Sequence, residues 1–159
     1  MRTALLWLSL LATGWVAGFF YAYSFSVMPG LDATEPANAI RAMQGINACV
    51  RTPVFAFAFF GSLVLPLLAA VAGRWQPRAG LALAAALIYG AGAFAVTFIV
   101  NVPMNEALAI VDPDTAGAAA TWQGYTVPWT LWNHLRTGAS TLAFLVLALA
   151  IRTPARPVQ

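Results

Sequence analysis

The sequence has very little charge. Only 8% of its 159 residues are Asp, Glu, Lys or Arg, while 61% are hydrophobic. A soluble domain of this length needs a far more polar surface, so the composition excludes one and indicates an integral membrane protein. Lysine is missing, since all eight cations are arginines. They are scattered rather than gathered into one patch, so a pI near 9.6 is no nucleic-acid footprint and no nucleic-acid partner is expected. Cys49 is the only cysteine, which excludes an intrachain disulfide, a CxxC pair and a thiolate cluster, and it is read as a small packing residue. His134 is the only histidine. One histidine, a remote cysteine and a few carboxylates do not make a copper, iron or zinc set, so no metal and no cofactor is expected. A single axial His134 for haem is the alternative. Phosphate-binding glycine loops, nucleotide fingerprints and a GxSxG elbow are also missing.

What the sequence does contain is four apolar runs, at 4–28, 53–73, 79–100 and 128–151. Each reaches about 20 residues, enough to cross roughly 30 Å of hydrocarbon as a helix. The first is longer than the apolar stretch of a signal peptide, and Ala22-Tyr23-Ser24 is a poor cleavage site, so it is read as a retained helix. The expected fold is all-α, a single integral membrane domain over 1–159. It is a four-transmembrane-helix bundle with short amphipathic helices in the two extracytoplasmic loops. Arg2, Arg74, Arg78, Arg152 and Arg156 fall on one side, and Arg41, Arg51 and Arg136 on the other with all five acids. The excess of arginines on the first side puts both termini in the cytoplasm of a multi-pass cell-membrane protein.

The inner connection at 74–78 reads as a tight turn, while the outer connections at 29–52 and 101–127 are long. Ile40, Met43, Ile46 and Val50 recur at helical spacing in the first, and 106–111 suggests a short helix in the second. Long outer loops over short inner turns place the working end outside. Odd spans end near Pro29 and Pro103, and even spans open at Pro53 and Pro128. Either a duplicated hairpin or ordinary helix capping produces that echo. Gly14 and Gly18 form a small-xxx-small pair that permits close packing within the chain or in a homo-oligomer.

The last span carries a polar stripe. At ~100° per residue, Arg136, Ser140, Asn133, Thr137, Thr130, Thr141 and His134 fall within an arc of roughly 160°, opposite Leu131, Trp132, Leu135, Ala139 and Leu142. No water serves these groups at membrane depth, so they need partners in protein or in a wet cavity. Thr97, Asn101 and Asn105 form a matching row in the third span. Pro103 is expected to kink or end that span between the two asparagines. The first span contributes Tyr21, Tyr23, Ser24 and Ser26, and the first loop adds Gln44, Asn47 and Arg51. Trp122, Tyr125, Trp129 and Trp132 surround them. Two readings stand side by side. One is interhelical hydrogen bonding with an interfacial aromatic belt. The other is a pocket for a flat, partly polar ligand, an aromatic small molecule or a lipid.

If the pocket is catalytic, the candidates are His134, Arg136 and Asn101. His134 has the pKa suited to moving protons near neutrality. Arg136 would hold an anionic oxygen, and Asn101, Asn105 or Asn133 would donate to a carbonyl. Glu106 either orients His134 or is a solvated loop acid. Asn105, Asn133, Thr137, Tyr21, Tyr23, Trp122, Tyr125, Trp129 and Trp132 are the candidate binding residues.

The blocks YAYSFSVMPGL, AMQGIN, NVPMNEAL and WQGYTVPWTLWNHLRT, in that order, resemble the anthrone oxygenase-like integral membrane family across nearly the whole chain. The resemblance implies oxidation of an anthrone to an anthraquinone by molecular oxygen. It also implies His134 as the base, with Arg136 and an asparagine stabilising a phenolate-like anion, and neither metal nor flavin. The alternative is a non-catalytic membrane protein that binds a quinone, a lipid or a partner subunit.

Overall fold

A computed structural model of the chain describes residues 2–73 and 76–154. Apolar runs of this length can satisfy their backbone groups in lipid only by coiling on themselves, and every regular element among the described residues is helical. Helices α1 (Thr3–Asp32), α3 (Pro53–Ala72), α4 (Pro77–Ala109) and α5 (Ala118–Arg152) are each long and apolar enough to cross a membrane. A shorter helix, α2 (Pro36–Cys49), lies between α1 and α3 in sequence. The chain is therefore a multi-pass membrane protein.

Helix α1 packs on α3 and α5, and α4 packs on the same two, so each long helix has two long neighbours. One buried cluster fills the space between them, with Phe20, Phe59, Tyr89 and Leu147 among its members. A second cluster joins Met28, Ile40, Met43, Leu108, Trp122 and Trp129, and it brings in α2. Ala39, Ile40 and Met43 are the buried residues of α2. On its outer side Arg41 pairs with Asp114. Gln44 donates from Nε2 to the carbonyls of Leu108 and Val111, both at 2.9 Å, fastening α2 over the end of α4.

Several boundaries differ from expectation. Helix α4 does not end near Pro103 but continues as Val102–Ala109, so residues 106–109 extend the span instead of forming a separate loop helix. The helix also starts well before Pro128 in α5. There the proline removes one donor, but Trp122 and Thr126 bond Asp32 while Tyr125 bonds Asn105, and tertiary contacts hold the helix through it. Cys49 is exposed at the end of α2, off the face that carries Ile40 and Met43, and does not pack as expected. Of the expected turn at 74–78, residues 74 and 75 lie outside the described residues.

The glycines divide in the same way. A Cβ on Gly14 would stand 3.1 Å from the Phe144 ring, so this position serves packing within the chain, whereas Gly18 has open space. The tightest approach is one that sequence pattern did not reveal: a Cβ on Gly92 would lie 2.5 Å from that of Ala139, where α4 meets α5. Gly92→Ala must push these helices apart, at a cost of about 1–3 kcal/mol. Thermal unfolding in detergent should show a lowered midpoint for Gly92→Ala and none for Gly18→Ala. Equal melting of the two variants would contradict the packing.

Candidate functional site

The site begins with two prolines. A proline ring clashes with the carbonyl four residues earlier and offers no amide hydrogen. Pro29 and Pro103 are each preceded by a widened helical turn, at Tyr23–Val27 and Thr97–Asn101, which contains that carbonyl-bearing residue. Such one-turn expansions loosen backbone pairing and occur often at functional sites. Both wide turns face α5, and its polar stripe bonds to them.

Asn133, fully buried, donates from Nδ2 to the Phe20 carbonyl and to Ser24 Oγ, each at 2.8 Å. Thr137 meets the same serine at 3.0 Å. From α4, Asn101 Nδ2 donates to the Trp129 carbonyl at 3.3 Å, and its Oδ1 is buried without a partner. Asn105 Oδ1 accepts from Tyr125 Oη at 2.8 Å and from Trp129 Nε1 at 2.7 Å. Helices α1, α4 and α5 are thus pinned at one level by side chains that lipid could not satisfy.

Arg136 lies in the middle of this network and is only 4% exposed. Its Nη2 donates to Asn133 Oδ1 at 2.8 Å and its Nη1 to Thr97 Oγ1 at 3.3 Å. The guanidinium carbon sits 4.5 Å from the Phe20 ring centroid and 5.0 Å from that of Trp129. No carboxylate reaches it, because the ion pair found among the described residues is Arg41–Asp114. Burying a cation without an anion costs several kcal/mol. Charge-assisted hydrogen bonds at about 1.5–3 kcal/mol each, and cation–π contacts of about 2 kcal/mol when desolvated, offset much of that. Nε nevertheless remains buried with no partner.

Arg136 also lines a cavity of about 840 Å³. Phe19 and Phe20 of α1, Phe55, Phe59 and Phe60 of α3 and Phe98 of α4 supply its walls. Tyr23, Thr97, Asn105 and Trp129 lie with Arg136 on its polar side, while Gln44, Asn47, Arg51 and Glu106 line it from α2, the following turn and the end of α4. The volume suits a ligand of drug-like size. Among the described residues, no three His, Cys, Asp or Glu side chains gather closely enough to hold a metal ion.

The cavity gathers only part of the expected set. Tyr23, Asn105, Trp129 and Arg136 line it. Asn101, Asn133, Thr137, Trp122 and Tyr125 are buried behind it as supports. His134 is exposed on the other side of α5, its ring 5.5 Å from that of Phe25, and does not line the cavity. Tyr21 and Trp132 are also exposed and off the cavity. The reason is angular: the buried face of α5 is centred near Trp129, Asn133 and Arg136, while His134 falls at the far rim of the polar arc. The phenylalanine walls went unnoticed in the sequence because they look like any lipid-facing residue. Glu106, read as a loop acid or a partner for His134, lines the cavity without it.

Fold and cavity together define a multi-pass helical membrane protein with an aromatic chamber whose lining includes a buried arginine. Residues 53–146 match the family model described as anthrone oxygenase, and the chain belongs to that family. The match covers α3 to α5, so the resembling blocks in α1 and α2 lie outside it. No curated protein and no solved structure matches the chain.

Asn133→Ala would delete both bonds to α1 and strip Arg136 of its shortest partner. At about 1 kcal/mol for each neutral bond and more for the charged one, a loss of about 3 kcal/mol is expected in thermal unfolding. Thr141→Ala, on the exposed side of the same helix, should change stability by less than about 0.5 kcal/mol. An Asn133→Ala variant as stable as wild type would contradict the pinning role.

Proposed function

We propose that the protein binds flat aromatic, phenolic molecules in this cavity and oxidises them with molecular oxygen, as the name of its family suggests. The observation that carries this reading is the Arg136 guanidinium, buried without a carboxylate partner among the described residues in the lining of a phenylalanine-walled chamber. An anthrone that loses a proton from its central methylene becomes a phenolate-like anion, which supplies both the flat ring for the walls and the negative oxygen for Arg136. Stabilising that anion lowers the barrier to its formation. The anion then gives electrons to oxygen and a C–O bond forms, giving a peroxide that takes up a proton. Loss of water, with cleavage of the O–O bond and the remaining C–H bond, leaves the ketone. One O₂ is consumed and one H₂O released, so substrate and oxygen balance the reaction. With His134 off the cavity, the base in this reading is Glu106, whose carboxylate belongs to the lining.

In this reading the whole chain, 1–159, works as one four-transmembrane-helix bundle. Both termini lie in the cytoplasm, and α2 lies across the outer end above the cavity. The arginine distribution supports the orientation. The exposure of His134 favours a second reading, in which the cavity holds a quinone or lipid without chemistry.

The test is incubation of the purified protein with a simple anthrone under oxygen, following quinone absorbance. Wild type should form quinone faster than buffer, with Arg136→Met slowed about 100-fold, the typical cost of losing one donor to a developing anion. His134→Ala should retain its rate within about twofold. Equal slow oxidation in every tube would leave only the binding reading. Loss of turnover in His134→Ala alone would return the base to His134.

A further inference from the structure

We infer that Asn105 is a specificity-determining residue of the cavity, its amide held so that the NH₂ group faces the ligand and joins Arg136 in selecting an oxygen acceptor. This rests on the reading that the cavity is a ligand site. The chemical class it selects is an aromatic molecule with a ketone or deprotonated hydroxyl at its edge, over an equally flat hydrocarbon or an aromatic amine.

The orientation follows from the partners. An indole N–H can only donate, so the Asn105 atom that meets Trp129 Nε1 at 2.7 Å must be the oxygen. Tyr125 donates to the same atom at 2.8 Å. With both lone-pair directions of Oδ1 used, the amide cannot flip without leaving two buried donors unsatisfied. The NH₂ group of Asn105 makes no hydrogen bond within the described residues, and the residue lines the cavity. Arg136 lines the same cavity, and each of its two Nη groups has a second hydrogen beyond its one protein bond. Thr97 offers no acceptor of comparable freedom: its hydroxyl donates to the Ala93 carbonyl and already accepts from Arg136. The Tyr23 hydroxyl, which also belongs to the lining, has no hydrogen bond among the described residues and adds a further donor. The groups around Arg136 and Asn105 are therefore mostly donors, while the Glu106 carboxylate at the end of α4 is an acceptor in the same cavity. Gln44 is locked in the opposite sense. Both its amide hydrogens go to backbone carbonyls, leaving Oε1 as an acceptor at the α2 end beside the Glu106 carboxylate of α4. A ligand with an oxygen at one edge and a hydroxyl at the other matches both ends.

Asn105→Asp is the discriminating variant. The carboxylate still accepts from Tyr125 and Trp129, so the α4–α5 contact persists, but the atom facing the cavity changes from donor to acceptor. The experiment measures quenching of tryptophan fluorescence in detergent-solubilised protein by three probes of one shape: 9,10-anthraquinone, anthracene and 2-aminoanthracene. Wild type should bind the quinone at least tenfold more tightly than anthracene, and more tightly than the amine. Asn105→Asp should lose that preference, binding anthracene as before and the quinone at least tenfold more weakly. The wild-type probe series stands even if the variant fails to fold. Wild type binding all three probes equally would overturn the donor assignment while leaving the cavity a binding site. An Asn105→Asp variant that keeps the quinone preference would overturn the role of Asn105 in particular. Failure of every probe to bind wild type would overturn both this inference and the reading it rests on.

Discussion

A guanidinium with no carboxylate beside it among the described residues, deep among helices suited to lipid, is the constraint around which this molecule is arranged. Such a charge is tolerated only where hydrogen-bond acceptors and aromatic faces replace the water it has lost. Asn133, Thr97, Phe20 and Trp129 do this for Arg136, and they come from three different helices. The same contacts therefore hold the fold together and define the floor of its cavity. Its Nε stays buried with no partner among the described residues, a cost that these contacts leave in place.

Two prolines prepare the neighbours for this task. By widening the turns ahead of Pro29 and Pro103, α1 and α4 expose backbone and small polar groups at the level where α5 presents Asn133 and Arg136. Close approach of α4 to α5 depends on Gly92, since a side chain there would hold the polar groups apart. A second set of bonds, from Trp122 and Thr126 to Asp32, fastens the first turns of α5 to the end of α1. Helix α2 then lies across this end, bonded to α4 through Gln44 and to the following loop through Arg41. The result is a rigid polar side facing a wall of phenylalanines, a division suited to a planar molecule with one polar edge.

Much of this was legible before any coordinates. Spans of about 20 apolar residues allow only a helical membrane fold, and Asn101, Asn105, Asn133 and Arg136 stood out because polar groups at that depth need partners. The family, too, could be recognised from short blocks. What the sequence hid was direction. Asn133 and His134 are adjacent in the chain, yet one is fully buried and the other exposed, because the buried face of α5 is narrower than its polar arc. Helix ends were also hidden: propensity says that Pro103 and Pro128 stop a helix, and tertiary bonds carry α4 and α5 past both. The cavity walls had no signature, since Phe55, Phe59 and Phe98 differ from lipid-facing phenylalanines only in what stands across from them.

The most direct test of the central claim is an experimental structure of the protein soaked with a hydroxylated anthraquinone. The account predicts planar density between the phenylalanines of α1 and α3, with one oxygen within about 3 Å of an Arg136 Nη. Density elsewhere, or a guanidinium found paired with a carboxylate and the cavity filled by side chains, would contradict it.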